Sequence, residues 1–178
     1  MINSKNKTCI IISLLLFCTA FLWAQDIDSN VPAGFAIVEG DGLSTTTGGA
    51  NGQIVTAANY SDLSSYCSSA NPLIILVEGT INGSGSISVK SNKTIIGKGT
   101  TAQLSGFGLD LNTVSNIIIR NLKINGSVDG IAARSCHHLW IDHCEIWDCT
   151  DGLLDITVAS SYCTVSWCKF YYVNQVDH

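Results

Sequence analysis

A parallel β-helix, an all-β solenoid, is the fold this sequence predicts, and three observations carry the prediction. The first is a repeat. Leu139, Ile141, Cys144 and Ile146 have counterparts at the same offsets in Ile117, Ile119, Leu122 and Ile124 upstream, and in Cys163, Val165, Cys168 and Phe170 downstream. Each unit reads apolar-x-apolar, two turn residues, apolar-x-apolar. Alternation at period two puts those side chains on one face of a strand. The second is the period, 22 residues and then 24. A unit of that length cannot bury its apolar face alone, so neighbours must stack into a continuous core. The third is composition. Hydrophobic residues make up 46%, charged residues only 13%, and glycine (16) far outnumbers proline (2). That balance suits strands joined by tight turns better than a helical bundle. The leucine-rich repeat, the main alternative at this period, needs a Leu-x-x-Leu-x-Leu-x-x-Asn frame that is absent.

Taken in order, residues 1–24 read as a secretory signal. Lys5 and Lys7 supply the positive start, and residues 10–23 form an apolar run short for a membrane span. Cleavage after Ala24 predicts a secreted, extracellular protein without a membrane anchor. Residues 25–33 form a polar, flexible lead-in, and residues 34–178 a single β-helix domain. The Gly- and Thr-rich stretch 34–52 reads as loop. Its Gly48-Gly49 pair is a turn and not a phosphate cradle, because no lysine follows and no helix opens there. Ile54 and Val55 make a short strand. Asn59 or Ser61 then caps a helix running through Cys67, with Leu63 facing inward. Such a helix would cover the open end of the stack. Residues 73–77, LIILV, form a buried strand that Gly79 breaks and Thr80-Ile81 resume. Residues 84–86 turn the chain before Ile87 and Val89. Residues 93–99, KTIIGKG, form the next strand, Leu104, Leu109 and Leu111 alternate after it, and the clear repeats begin at Ile117.

Without residues 1–24 the chain holds 7 basic and 14 acidic residues. No basic patch exists, which excludes nucleic acid as a partner. An acidic polymer could still bind if a divalent cation bridged the two. Six cysteines remain. Cys144 and Cys168 fall at equivalent inward positions on adjacent turns, about 4.8 Å apart and within disulfide reach. A disulfide and two buried thiols both stay open. Zinc at Cys136, His137, His138, His143 and Cys144 is not expected. There is no C-x-x-C pair, and His143 and Cys144 point to opposite sides of a strand.

The segments GFAIVEGDG, KTIIGKG, NIIIRNLKI, LWIDHCEI, DGLLDI and TVSWCKF carry a resemblance. From Gly34 onward the chain resembles the N-terminal part of a pectate lyase of polysaccharide lyase family 1. The resemblance implies a right-handed β-helix, expected as a monomer. It also implies calcium-dependent β-elimination of de-esterified homogalacturonan, the polygalacturonate of pectin. That reaction removes the proton alpha to a sugar carboxylate. It needs charge held by a hard, oxygen-liking ion and a base for the proton. By motif position the calcium carboxylates are Asp129, Asp151 and Asp155. A repeat of 24 carries Asp129 to Leu153, which Asp151 and Asp155 flank, so all three share strand parity. On a straight strand Asp151 and Asp155 would lie about 13 Å apart, too far for one ion at about 2.4 Å per ligand. The chain must therefore bend near Gly152, or Asp151 binds mainly with substrate. Ser127 stands where some members carry another aspartate. Asp142 is expected to satisfy backbone groups at a turn, His143 to be structural, and Trp140 and Trp167 to pack.

In the family the base is an arginine well downstream of TVSW, with a substrate-binding lysine before it. Arg120, read as a turn residue, and Arg134, upstream of the motif, do not match it. No catalytic residue is assigned. The 178 residues are expected to be an incomplete chain, inactive alone, with an uncapped last turn prone to aggregate. Two other readings share the architecture. A polygalacturonase-type hydrolase would use Asp151 and Asp155 as acid and base. A non-catalytic pectin-binding β-helix would use neither.

Overall fold

Parallel pairing between segments 20 to 24 residues apart builds this molecule. The computed structural model describes residues 31–174. The predicted signal, and the lead-in up to residue 30, lie outside the described residues. A 3-10 turn, Gly34–Ile37, comes first. There follow β1 (Gln53–Ala57), α1 (Tyr60–Ser68), β2 (Leu73–Ser88), β3 (Lys93–Asn112), β4 (Ser115–Arg120) and β5 (Lys123–Asn125). β6 (Ile131–Arg134), β7 (His137–Asp142), β8 (Glu145–Trp147), β9 (Leu154–Thr157), β10 (Ser161–Ser166) and β11 (Lys169–Tyr171) complete the order. Three ladders run the length of the stack. The first joins β1, the starts of β2 and β3, then β4, β7 and β10. The second joins the middles of β2 and β3 to β5, β8 and β11. The third joins the ends of β2 and β3 to β6 and β9. Each turn of the chain visits the ladders in the same order, which is the predicted parallel β-helix.

The repeat sets the register. Ile117, Leu139 and Cys163 are partners, as are Ile119, Ile141 and Val165, and Ile124, Ile146 and Phe170. The members in the first two units are buried. On the last described turn, Val165 is 39% and Phe170 41% exposed. The predicted breaks at Gly79 and residues 84–86 are corners inside one long β2. Gly79 (φ +69°) and Gly85 (φ +75°) turn the chain there, and the ladder to β3 shifts register at both points. Pairing with β3 resumes beyond each corner, at Thr80 with Gln103 and at Gly85 with Phe107. The capping helix is present. Asn59 is its N-cap and accepts from the Asp62 amide at 3.0 Å, while Leu63 and Cys67 are buried beneath it.

Residues 34–49 do form a loop, yet it is fastened to the first ladder by single side chains. Asn116 Oδ1 accepts from the amides of Thr47 (2.6 Å) and Gly48 (2.7 Å), and Asn116 Nδ2 donates to Gly48 O and Asn92 Oδ1. Thr164 Oγ1 accepts from the Ala36 amide at 2.9 Å. Gly49 lies so close to the Leu73 carbonyl that a Cβ would strike it. His138, one turn above Asn116 and buried, holds the far part of the loop. Its Nε2 lies 3.1 Å from Val38 O, which can only accept, so Nε2 carries the hydrogen. Its Nδ1 is then bare and accepts from His137 Nδ1 at 3.0 Å. The ring stacks on Tyr162, which stacks in turn on Phe35.

A proton on His138 would set two N–H groups face to face. Burial pushes its pKa below the usual histidine range, reinforced by His137 and opposed by the Val38 hydrogen bond and by Asp41. The unfolded chain therefore takes this proton first. The stabilisation is complete above about pH 6.5 and is lost as the pH falls from there through the folded value. Thermal melting followed from pH 8 to pH 5 should show this loss, and His138→Gln should flatten it. The same slope in the variant would place the sensitivity elsewhere.

Candidate functional site

The outer face of the third ladder carries the charged chemistry. Leu109, Leu111, Ile131 and Ala133 point inward and are buried, so their neighbours point out. Two outward columns result. Asp110, Ala132 and Asp155 are in register across three turns, and so are Asn112, Arg134 and Thr157. Asp129 lies just before β6. The amide of Gly152 donates to Asp129 Oδ1 at 3.1 Å. A Cβ on Gly152 would meet both carboxylate oxygens of Asp155 at 2.5 Å. Asp129 and Asp155 thus converge on Gly152 from successive turns, and a side chain at Gly152 would require the Asp155 carboxylate to move. The Asp155 carboxylate makes no hydrogen bond among the described residues. Asp129 Oδ2 lies 3.8 Å from Arg134 Nη2, and Asp110 Oδ1 lies 3.8 Å from Arg134 Nη1.

Two parts of the sequence reading change here. The spacing between β6 and β9 is 23 residues, since Ile131 pairs with Leu154 and Ala132 with Asp155. With a spacing of 24, Asp129 and Asp155 would share parity; with 23 they do not, because one residue of shift exchanges the faces of a strand. They meet because Asp129 leans from a corner towards Gly152. The chain bends at Asp151 and Leu153, on either side of Gly152. Asp151 is exposed on that bend, its amide bonded to Val128 O and its carbonyl to the Tyr172 hydroxyl at 3.5 Å. Its carboxylate does not join the other two. Among the described residues no three His, Cys, Asp or Glu side chains are grouped closely enough to hold a metal ion. Ser127 is buried against Cys149, with Oγ and Sγ 3.2 Å apart, and adds no oxygen to this face. The Asp129–Asp155 pair offers only oxygen, part-exposed and without a cation bound by hydrogen bonds, which is the donor chemistry a hard ion such as calcium takes.

The Trp-Ile-Asp-His motif lies elsewhere and is internal. Arg120 Nε donates to Asp142 Oδ2 at 2.9 Å, with the two side chains 5% and 3% exposed. Asp142 Oδ2 also lies 2.7 Å from His143 Nδ1, and Oδ1 accepts from Ser166 Oγ at 2.6 Å. Ser166 Oγ takes a hydrogen bond from Trp140 Nε1, and the Arg120 guanidinium lies over the Trp140 ring. Asp142 was expected to serve backbone groups; its carboxylate serves three side chains on three turns instead. Arg120 is the buried end of β4 and no turn residue. Burial raises the Asp142 pKa, but the hydrogen bonds from Ser166, His143 and Arg120 outweigh it and hold the carboxyl below the usual range. Trp140 packs as expected. Trp167 is 70% exposed and only flanks His143, 6.2 Å between ring centres. The six described cysteines are free thiols. The hydrogen bond from Cys144 draws the Cys168 thiol pKa down.

Asp110 and Arg134 were not singled out as site residues by sequence. The signal was available. Extending the 22-residue spacing to the third ladder puts Asp110 opposite Ala132 and Asn112 opposite Arg134.

Comparison with known proteins gives the family. The family model described as pectate lyase matches residues 4–177. A pectate trisaccharide-lyase of Thermotoga sp. (strain RQ2) is 36% identical over 94% of this chain and 49% of its own. The pectate lyase plyB of Emericella nidulans is 39% identical over 82% of this chain and 46% of its own. The crystal structure of a Bacillus sp. N165 pectate lyase, in complex with trigalacturonate, superposes with a TM-score of 0.70 at 30% identity. It covers 83% of this chain and 57% of that one. The chain spans about half the length of the curated relatives it matches.

The buried cluster predicts a structural phenotype for the motif. Asp142→Ala leaves the Arg120 charge unpaired in the interior and should cost about 3–5 kcal/mol in urea denaturation. Trp167→Ala, at an exposed corner, should stay within about 0.5 kcal/mol. Equal losses from both would contradict the assignment of Asp142 as the link between turns.

Proposed function

The chain belongs to the pectate lyase family, and from that premise we propose that it is a secreted lyase cleaving de-esterified homogalacturonan by calcium-dependent β-elimination. The observation that carries the proposal is the convergence of the Asp129 and Asp155 carboxylates at Gly152 on the outer face of the third ladder. These two would hold calcium, and Asp151, on the neighbouring bend, would join when the polymer is present. Calcium held by these residues would supply charge to offset a sugar carboxylate and the negative charge left when the alpha proton is removed. The protein's own part is positional. The Gly152 amide fixes Asp129 Oδ1, while Oδ2 lies 3.8 Å from Arg134 Nη2. The absence of a Cβ at Gly152 leaves room for the Asp155 carboxylate beside it.

The proton acceptor is proposed to come from outside these 178 residues. Arg120 is enclosed with Asp142 under Trp140 and cannot reach a polymer on the outer face. Arg134 faces two carboxylates, and a guanidinium is a poor base without special placement. These residues would then bind polygalacturonate through calcium and not turn it over. That is also what the pectin-binding reading expects of them.

Two measurements separate the parts of this proposal. Ultraviolet absorbance of unsaturated uronide, with polygalacturonate and calcium and then with chelator, should stay flat for the 178 residues. A calcium-dependent rise would overturn the placement of the base. Calorimetric titration of calcium in the presence of polygalacturonate should show binding that Asp129→Asn and Asp155→Asn each weaken at least tenfold, about 1.4 kcal/mol or more. Undiminished binding in both variants would remove the site.

A further inference from the structure

We propose that Arg134 forms an anion subsite that receives a second uronate carboxylate of the polymer, beside the Asp129–Asp155 pair. The inference rests on the pectate lyase reading above and adds to it a residue that selects for free carboxylate over ester.

Three features of Arg134 support it. The first is that its guanidinium is not spent on the fold. Both carboxylate contacts are 3.8 Å, beyond hydrogen-bond reach, and the side chain is 47% exposed. Arg120 shows the opposite case, bonded at 2.9 Å and 5% exposed. The Arg134 guanidinium makes no hydrogen bond among the described residues, so its planar fork of donors is open to a carboxylate, the shape it matches best. The second is location. Arg134 stands on the outer face two residues along β6 from Ala132, the rung between Asp110 and Asp155. It borders an open cleft of about 300 Å³, with Ser86, Asp110, Val128, Asp129 and Ala132 around it. Small residues at Ser86 and Ala132 leave the approach clear.

The third is charge. The wall of this cleft is acidic, and the whole chain carries a net charge of −5. A galacturonan bears a carboxylate on every sugar, so a polymer lying along the turns brings several negative charges to a negative wall. A cation at Asp129 and Asp155 offsets one of them. Arg134 is the positive side chain that faces the same cleft and can take the next. A methyl ester there has no charge and offers the fork a far weaker acceptor.

The test is calorimetric binding of trigalacturonate with calcium to the whole chain, with Arg134→Gln and Arg134→Lys beside it. Arg134→Gln should bind about tenfold more weakly, the size of one charge-assisted contact. Arg134→Lys should fall between, keeping charge and losing the fork. The deficit should shrink as salt is raised. Fully methyl-esterified trigalacturonate should bind the unmodified chain and Arg134→Gln equally. Melting temperatures should be unchanged, since long, exposed ion pairs contribute little. Wild-type affinity in Arg134→Gln, tighter binding in it, or an equal deficit for the ester would each overturn the inference alone. No calcium-dependent binding of trigalacturonate by the unmodified chain would overturn the pectate lyase reading and this inference with it.

Discussion

Every turn of this chain must land in register on the turn before it, about 4.8 Å away, and most of the structure follows from that constraint. Inward residues meet the same position of the next turn, so Ile119 stacks on Ile141 and Ile124 on Ile146. Corners must coincide as well. Asn121, His143 and Trp167 occupy one corner on three turns with φ of +49°, +51° and +52°. Asparagine tolerates that conformation, while histidine and tryptophan adopt it at a cost of about 1–2 kcal/mol each. The stack imposes the bend, and local contacts support it: His143 is bonded to Asp142, and Asn121 Nδ2 donates to the carbonyls of Gly97 and Gly99 on the turn below.

The buried group around Asp142 answers a difficulty this architecture creates. Apolar columns alone specify that turns stack, but a solenoid of similar turns can slip by one. Arg120 on β4, Asp142 on β7 and Ser166 on β10 belong to one register column, and their hydrogen bonds are satisfied only when those three strands are aligned. Desolvating the ions makes the pair a weak source of net stability, yet breaking it is expensive. A slipped register would break it. The Trp-Ile-Asp-His motif is thus read most directly as a device for alignment, with Trp140 covering the guanidinium and donating to Ser166.

Much of the fold was legible because period two within a strand and 22 to 24 between turns both show in the apolar residues. The N-cap of α1 was legible because asparagine followed three residues later by aspartate does local chemistry. Other features were not. The loop at 34–49 has no apolar period; its attachment depends on Asn116 and His138, each far away in sequence. The burial of Arg120 could not be read without knowing that its partner comes 22 residues later. Trp167 looked like core by its residue type, but its corner places it outside. At the site, motif position marks Asp129 and Asp155, while a spacing of 23 in place of 24 removes their shared strand parity. Corner lengths differ between ladders, so the spacing is 24 from β7 to β10 and 23 from β6 to β9.

Stacking also explains why the charged face takes the form it does. Inward positions are dictated by the core, whereas outward positions in a column are constrained only by the neighbours one rung away. Two carboxylates on adjacent rungs, at about 5 Å, repel by roughly 3 kcal/mol at an effective dielectric constant of 20, against under 2 kcal/mol two rungs apart. Ala132 separates Asp110 from Asp155 by two rungs, which puts them at the smaller of those two repulsions. The third acid of this face, Asp129, enters from a corner and not from the column, so it approaches Asp155 at Gly152 without stacking on it. An arginine in the adjoining column then lies between Asp110 and Asp129 without bonding closely to either. The face is therefore under tension between like charges that one positive side chain only partly relieves. A surface with that imbalance gains most from a ligand that brings its own cation.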